Sequence, residues 1–273
     1  MQPLSISILQ TSLFWESPDQ NRIHIETQLG SLPPGNHLTI FPEMFSTGFS
    51  MDPAKHAETM DGPTIQWMKK IASEKRTILV GSVMVEENNN YYNRLLWVLP
   101  NGQIGYYDKR HLFAFAGEDQ HYTPGNKRLI ASVNGWRINL QICYDLRFPV
   151  WSRQRSSYDE EGGFQPEYDV LVYVANWPER RAEAWKTLLR ARAIENQCYV
   201  VGVNRIGEDG NGINHCGDST IVGPTGDILH HCADRNELYS HQLDYDALQE
   251  VRERLPFLRD ADGFIILSDD FPE

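Results

Sequence analysis

The chain has 273 residues, 41% of them apolar and 23% charged, and its 37 acidic against 25 basic side chains give a net charge of −12. There is length for a large core, and the charge argues against a nucleic-acid binder, whose affinity rests on neutralising phosphates. No apolar run reaches the roughly 20 residues of a membrane span.

Four cysteines, at 143, 198, 216 and 232, have no short regular spacing. The first residues lack the charged, apolar and small-residue pattern of a leader peptide. The expectation is a cytoplasmic protein with reduced thiols.

In chain order, Leu4 to Ser12 alternates and predicts a first strand. Pro18 to Leu29 predicts a helix with Ile23, Ile25 and Leu29 on its apolar face. Pro33-Pro34-Gly35 is a turn. A short buried strand over His37 to Phe41 ends at Pro42-Glu43. Met44 to Glu58 reads as a loop over a site. Pro63 to Lys75 is an amphipathic helix opened by proline. Strands follow at Thr77 to Val85 and Tyr91 to Leu99, then a turn at Pro100-Asn101-Gly102 and a returning strand to Tyr107.

Ala114 to Asn126 reads as a loop. Arg128 to Val133 and Trp136 to Ile142 predict a hairpin around Asn134-Gly135. A helix is expected from Pro149, then an acidic, glycine-rich excursion over Ser156 to Glu167. Asp169 to Asn176 is a buried strand that Trp177-Pro178 breaks. Arg181 to Asn196 predicts a helix, apolar at Ala184, Leu188, Ala191 and Ile194. Cys198 to Asn204 is the next buried strand, and Gly207 to Gly217 a loop. Asp218 to Val222, Gly226 to His230 and Glu237 to Leu243 predict a meander, before a helix over Tyr245 to Arg254. No linker interrupts the composition, so 1–273 reads as one domain with a tail over 256–273. The order strand, helix, strand, helix, strand, hairpin occurs twice, before and after Arg128. Two packed sheets with helices outside accommodate so many strands.

Three stretches carry chemistry. Arg137 to Pro149 alternates as a strand through Ile142 and then reaches Cys143, with Asp145 a possible helix cap beyond it. A cysteine between a strand end and a helix start faces outward-pointing N–H groups, which stabilise a thiolate and an oxyanion. A lone cysteine is more often a core residue; this one has company. Thr39 to Glu43 ends an apolar run in a carboxylate, and Tyr106 to Phe113 carries Lys109. Glu43 is then a candidate base, Lys109 a candidate electrophile and Cys143 a candidate nucleophile for attack on an amide carbon. The backbone N–H of Tyr144 is a second oxyanion donor, and Glu118 a supporting carboxylate. No zinc-like spacing of cysteine and histidine occurs, and no phosphate loop or GxSxG motif, so no metal and no cofactor are expected.

Phe41-Pro-Glu43, Asp108-Lys-Arg-His-Leu-Phe113, Gly117-Glu118, Cys143-Tyr-Asp-Leu-Arg-Phe-Pro149 and Asn176-Trp-Pro178 together resemble the ordered motifs of the nitrilase (carbon–nitrogen hydrolase) superfamily. The resemblance implies a four-layer α-β-β-α sandwich with mixed sheets. It implies Glu43 as base, Lys109 as oxyanion-binding lysine, Cys143 as nucleophile and Glu118 in support. It also implies a homodimer, with the tail and its Phe264 to Leu267 run crossing to the partner. Cys-Tyr-Asp in place of the Cys-Trp-Glu of true nitrilases is most similar to the omega-amidase branch. Its substrates are small monoamides of dicarboxylates, 2-oxoglutaramate and succinamate. Other readings are an amidase for an N-carbamoyl compound or a deaminated glutathione, or a non-catalytic binding protein on the same fold. For an anionic substrate, Arg147, Arg180 and Arg181 are the candidate carboxylate ligands. Phe45, Phe115, Tyr144, Asn176 and Trp177 are candidates to wall its pocket.

Overall fold

A computed structural model describes residues 1–155, 157–158 and 164–266. The first half runs β1 (Leu4–Gln10), α1 (Pro18–Gln28), β2 (Leu38–Ile40), α2 (Pro53–His56), α3 (Pro63–Lys75), β3 (Ile78–Glu87), β4 (Asn90–Val98) and β5 (Ile104–Asp108). The second runs β6 (Ile130–Val133), β7 (Trp136–Ile142), α4 (Pro149–Ser152), β8 (Ser157–Tyr158), β9 (Phe164–Gln165), β10 (Val170–Ala175), α5 (Ala182–Asn196), β11 (Tyr199–Asn204), β12 (Ile206–Glu208), β13 (Asn214–Val222), β14 (Ile228–Ala233), β15 (Glu237–Leu243) and α6 (Tyr245–Arg254).

One sheet has the order β15-β1-β2-β3-β4-β5. The other has the order β12-β13-β11-β10-β7-β6, with β14 beside β13. Each has three central parallel strands, β1-β2-β3 in one and β7-β10-β11 in the other. In each, an antiparallel strand flanks the first of these, β15 beside β1 and β6 beside β7. Antiparallel strands also extend the far side. The repeated element order on either side of Arg128 is thus a repeated sheet plan.

Alternation along the strands builds the layers. Ile6, Ile8 and Ile40 of one sheet meet Ile138, Leu140, Ile142, Val170, Val172 and Val174 of the other in a shared core. The opposite face of the first sheet puts Leu9, Leu79 and Val83 against Ile25, Ile65, Met68 and Ile71 of α1 and α3. The opposite face of the second puts Leu171, Tyr173 and Val200 against Trp185 and Leu189 of α5. β10 is buried on both faces, as a strand between a sheet and a helix must be. This is an α-β-β-α sandwich.

Several local expectations are corrected. Ile23 is 69% exposed, while Ile25 of α1 and Leu29 just beyond it are buried as expected. The buried stripe of α5 is Trp185, Leu189, Arg192, Ala193 and Asn196, while Ile194 is exposed. Arg192 and Asn196 are polar but tied down, Arg192 donating to the carbonyl of Leu146 and Asn196 accepting from the N–H of Gln154. The expected meander breaks because β15 crosses to the other sheet to pair with β1. The stretch after Glu43 is a loop as expected, buried over residues 44–48 and reaching the cavity at Phe49, but α2 lies within it. Residues 207–217 are largely the β12-β13 hairpin, and the helix from Pro149 is a single turn. Residues 261–266 form no strand; Leu267 lies outside the described residues.

Candidate active site

Glu43 stands three residues beyond β2, Lys109 one beyond β5, Cys143 one beyond β7 and Asn176 one beyond β10. Open α/β sheets place their sites at such strand ends. Glu43 sits in a tight corner, for Met44 has the left-handed φ of 43°. The corner is anchored to β3: Ser82 Oγ accepts from the N–H of Met44 at 2.8 Å. The Glu43 side chain is fully buried. Its Oε2 accepts from the backbone N–H of Asn176 at 2.8 Å, and its Oε1 from Asn93 Nδ2 at 2.8 Å and Lys109 Nζ at 2.9 Å.

Lys109 Nζ also donates to both oxygens of Glu118, at 3.0 and 2.9 Å. Glu118 Oε2 further accepts from the N–H of Phe113 at 2.6 Å. The loop carrying Glu118 is drawn back onto β5, where Gly125 donates to the carbonyl of Lys109. A Cβ on Gly125 would lie 2.2 Å from the carbonyl oxygen of Asp108, so only glycine fits that approach.

Cys143 opens a single 3-10 turn, Cys143–Arg147, and has a φ of 42°. A left-handed non-glycine residue costs roughly 1–3 kcal/mol and persists where its surroundings over-determine it. The bend turns the thiol out of the sheet, as a nucleophile elbow does. Tyr144 follows in the first turn, where a helical N–H has no carbonyl of its own turn to pair with. Asp145 is not an N-cap residue but the third residue of this turn, whose N-cap is Ile142. Its carboxylate turns back and accepts from the N–H of Ile142 at 3.0 Å.

Electrostatics order these groups. Burial alone would pull the Lys109 ammonium down, but the charges of Glu118 and Glu43 outweigh it and hold it above its ordinary value. Burial raises the Glu118 carboxyl, with Lys109 opposing and Glu43 adding to the rise. Burial pushes the Cys143 thiol well up, and the neighbouring Glu43 carboxylate, its hydrogen-bond partner, adds to it. The resting sulfur is therefore a thiol beside a carboxylate, where the strand-to-helix position alone pointed to a stabilised thiolate.

A family model described as carbon–nitrogen hydrolase matches residues 6–253. This chain belongs to the carbon–nitrogen hydrolase family. It is 42% identical to the omega-amidase YafV of Escherichia coli (strain K12), over 97% of this chain and 99% of that protein. It is 31% identical to the 2-oxoglutaramate amidase of Bacillus subtilis (strain 168), over 94% of this chain and 96% of that one. Among solved structures it is similar to XC1258 of Xanthomonas campestris, a CN-hydrolase superfamily protein with an arsenic adduct in its active site. That match has a TM-score of 0.94 and 43% identity, and covers 97% of this chain and 100% of the other.

In this carbon–nitrogen hydrolase a cavity of about 230 Å³ opens above Cys143 and Lys109. Tyr144, Asn176, Trp177, Phe115, Arg147, Arg180 and Arg181 all line it. Phe115 is 81% exposed at the rim. Trp177 is fixed by its indole N–H, which donates to the carbonyl of Arg181, and carries the Arg147 guanidinium over its ring at 4.9 Å. Arg181 lies over Phe113 at 5.0 Å. Asn176 holds Glu43 through its backbone N–H and through one N–H of its side-chain amide.

Phe45 is a correction. The corner at Met44 swings it behind the sheet, where it is fully buried against Phe41 and Trp67. Phe49 takes the wall position instead, with Lys109 Nζ 5.1 Å from its ring. The sequence reading also missed Asn93, which bridges Glu43 and Glu118, and the lining residues Phe113, Asp209, Ile213 and His215. An asparagine inside β4, just before the apolar Leu95-Leu96-Trp97 run, is a signal for the first. Phe113 closes the motif that carries Lys109, while Asp209, Ile213 and His215 have no such signal.

Proposed function

We propose that this chain is an omega-amidase, hydrolysing the terminal amide of small dicarboxylate monoamides such as 2-oxoglutaramate and succinamate. The observation that carries it is the set of three guanidiniums around the cavity above Cys143. Arg147, Arg180 and Arg181 line that cavity, and among the described residues none has a carboxylate partner, in a chain with 37 acidic side chains. Burial and the neighbouring Arg180 and Arg147 lower the affinity of Arg181 for its own proton. A substrate carboxylate relieves that crowding, and its amide then points at the sulfur. The names of the Escherichia coli and Bacillus subtilis relatives support the same substrate class.

In the reaction so proposed, Glu43 takes the thiol proton as Cys143 Sγ attacks the amide carbon. The carbonyl π electrons move to oxygen, and Lys109 Nζ and the Tyr144 N–H stabilise that oxyanion. The oxyanion collapses, the carbon–nitrogen bond breaks, and Glu43 returns its proton to the leaving ammonia. Water then attacks the thioester with Glu43 again as base, giving the dicarboxylate and a restored thiol. Glu118 keeps Lys109 charged and in place.

Hydrolysis of 2-oxoglutaramate, succinamate and an N-carbamoyl amino acid, read as ammonia release, and of deaminated glutathione, read as release of its cysteinylglycine amine, tests the reading. The expected result is the highest kcat/KM for the first two and none in Cys143→Ala. A higher value for a carbamoyl compound or the glutathione derivative moves the chain to another amidase specificity. Full activity in Cys143→Ala ends the cysteine mechanism.

We also propose that residues 1–273 form one domain, that the chain works as a cytoplasmic homodimer, and that its tail over 256–273 lies at the interface. Among the described residues no helix is long and apolar enough to cross a membrane. Sedimentation of the chain with and without 256–273 tests the assembly: a monomer in both cases sinks it.

A further inference from the structure

Asp145 is fully buried and accepts four hydrogen bonds. Its Oδ2 takes the N–H of Ile142 at 3.0 Å and the hydroxyl of Tyr107 at 2.7 Å. Its Oδ1 takes the N–H of His111 at 3.0 Å and faces His111 Nδ1 at 2.8 Å. Ile142 precedes the strained Cys143 at the end of β7. Tyr107 and His111 flank Lys109 at the end of β5, in the other sheet. One carboxylate therefore ties the nucleophile turn to the lysine turn across the sandwich.

The tie has a fixed sense. The Tyr107 oxygen already accepts from Trp151 Nε1 at 3.0 Å and from the N–H of Arg110 at 3.1 Å. A phenol has two lone pairs and one proton, so that proton is committed to Asp145. An asparagine at 145 has one oxygen for these donors and an NH₂ group that must face at least one backbone N–H. The isosteric amide thus breaks the tie without opening a cavity.

We propose that Asp145 is a positioning residue for the reaction: through Ile142 it holds Cys143 in its left-handed bend, and through Tyr107 and His111 it holds Lys109 over the same point. The inference rests on reading Cys143 as the nucleophile. The aromatic stack of His111 on Phe148, 3.8 Å between ring centres, closes the loop on the other side of the turn.

The test compares wild type, Asp145→Asn and Tyr107→Phe. Three quantities are read: Tm, kcat and KM on 2-oxoglutaramate, and the rate of iodoacetamide labelling at Cys143 located by peptide mass. In Asp145→Asn, kcat is expected to fall about 100-fold, the usual effect of a misplacement near 1 Å. KM should stay within about threefold, since Arg180 and Arg181 stand on the separate Glu179–Arg181 turn and only Arg147 shares the turn of Asp145. Labelling of Cys143 should slow in parallel. A folded Asp145→Asn that keeps kcat and labelling within twofold, with only Tm lowered, makes the residue structural and overturns the proposal. If Asp145→Asn does not fold, Tyr107→Phe decides: a kcat lowered about three- to tenfold supports the tie, and an unchanged kcat overturns it. Labelling needs no substrate, so slowed labelling in a chain that hydrolyses none of the amides sustains Asp145 while the omega-amidase reading fails.

Discussion

Glu43 and Asn176 leave different sheets and hold each other twice. The N–H of Asn176 donates to Glu43 Oε2 at 2.8 Å, and its side-chain amide donates to the main-chain carbonyl of Glu43. The carboxylate is thereby clamped at one oxygen, while its other oxygen is shared by Asn93 and Lys109. It is aimed before any substrate arrives.

That clamp makes Glu43→Gln an informative variant. The amide keeps the shape but takes up no proton, and its NH₂ meets the N–H of Asn176 or the ammonium of Lys109. Removing a general base typically costs 10²–10⁴-fold. We expect kcat on 2-oxoglutaramate to fall by about 10³-fold or more, measured by ammonia release on protein whose fold is verified by circular dichroism. A loss below tenfold places the base elsewhere.

Arg181 is the most enclosed of the three cavity arginines, set over Phe113. Hydrogen bonds to a charged group contribute about 1.5–3 kcal/mol each. Arg181→Gln is expected to raise KM for succinamate by about tenfold or more. KM for butyramide, the uncharged amide of the same length, should move less than about threefold. Equal changes for both amides would mean that the arginine shapes the pocket and does not read charge.

Phe45 lies two residues from Glu43 but belongs to the core between sheet and helices. Truncating a buried phenylalanine costs about 3–5 kcal/mol. Phe45→Ala should lower the unfolding free energy by that amount in urea titrations and leave the KM of the folded fraction unchanged. A selective rise in KM at undiminished stability would return Phe45 to the pocket.

His215 lines the cavity and is 5% exposed. Burial, aided by the guanidinium of Arg205, pulls its pKa down from 6.5 to about 4. The group is neutral in both folded and unfolded chains above pH 6.5. As pH falls from there toward 4, the unfolded chain takes up a proton that the folded one refuses, so stability is lost over that window. At about 1.4 kcal/mol per unit, the loss is about 3 kcal/mol. Urea unfolding at stepped pH should therefore show a steeper decline for wild type than for His215→Gln between pH 6.5 and 4. Parallel curves would show that the imidazole is solvated.

Strand alternation made much of this architecture readable. Ile138, Leu140 and Ile142 announce one face of β7, and the residue that breaks the pattern is Cys143. Glu43 likewise ends an apolar run and Lys109 a strand-like one, so their convergence on Cys143 needed only the two sheets to face each other. What resisted reading is non-local. β15 pairs with β1 more than two hundred residues away, and nothing near Glu237 says so. The inward stripe of α5 was hidden because Arg192 and Asn196 are buried through hydrogen bonds, which a hydrophobic pattern does not see. Asp209 and His215 reach the cavity from a glycine-rich hairpin whose course no periodicity encodes.

The layer of aliphatic side chains between the sheets has a second role. Glu43, Lys109 and Glu118 belong to one sheet's half of the chain, and Cys143 and Asn176 to the other. Ile8, Ile40, Leu140, Ile142 and Val172 fill the space between. Their combined thickness works as a spacer gauge between acid and sulfur. Repacking that layer with residues of equal volume but different shape would detune turnover well before it loosened the molecule, so a randomised interior offers a dial for rate that touches no reacting atom.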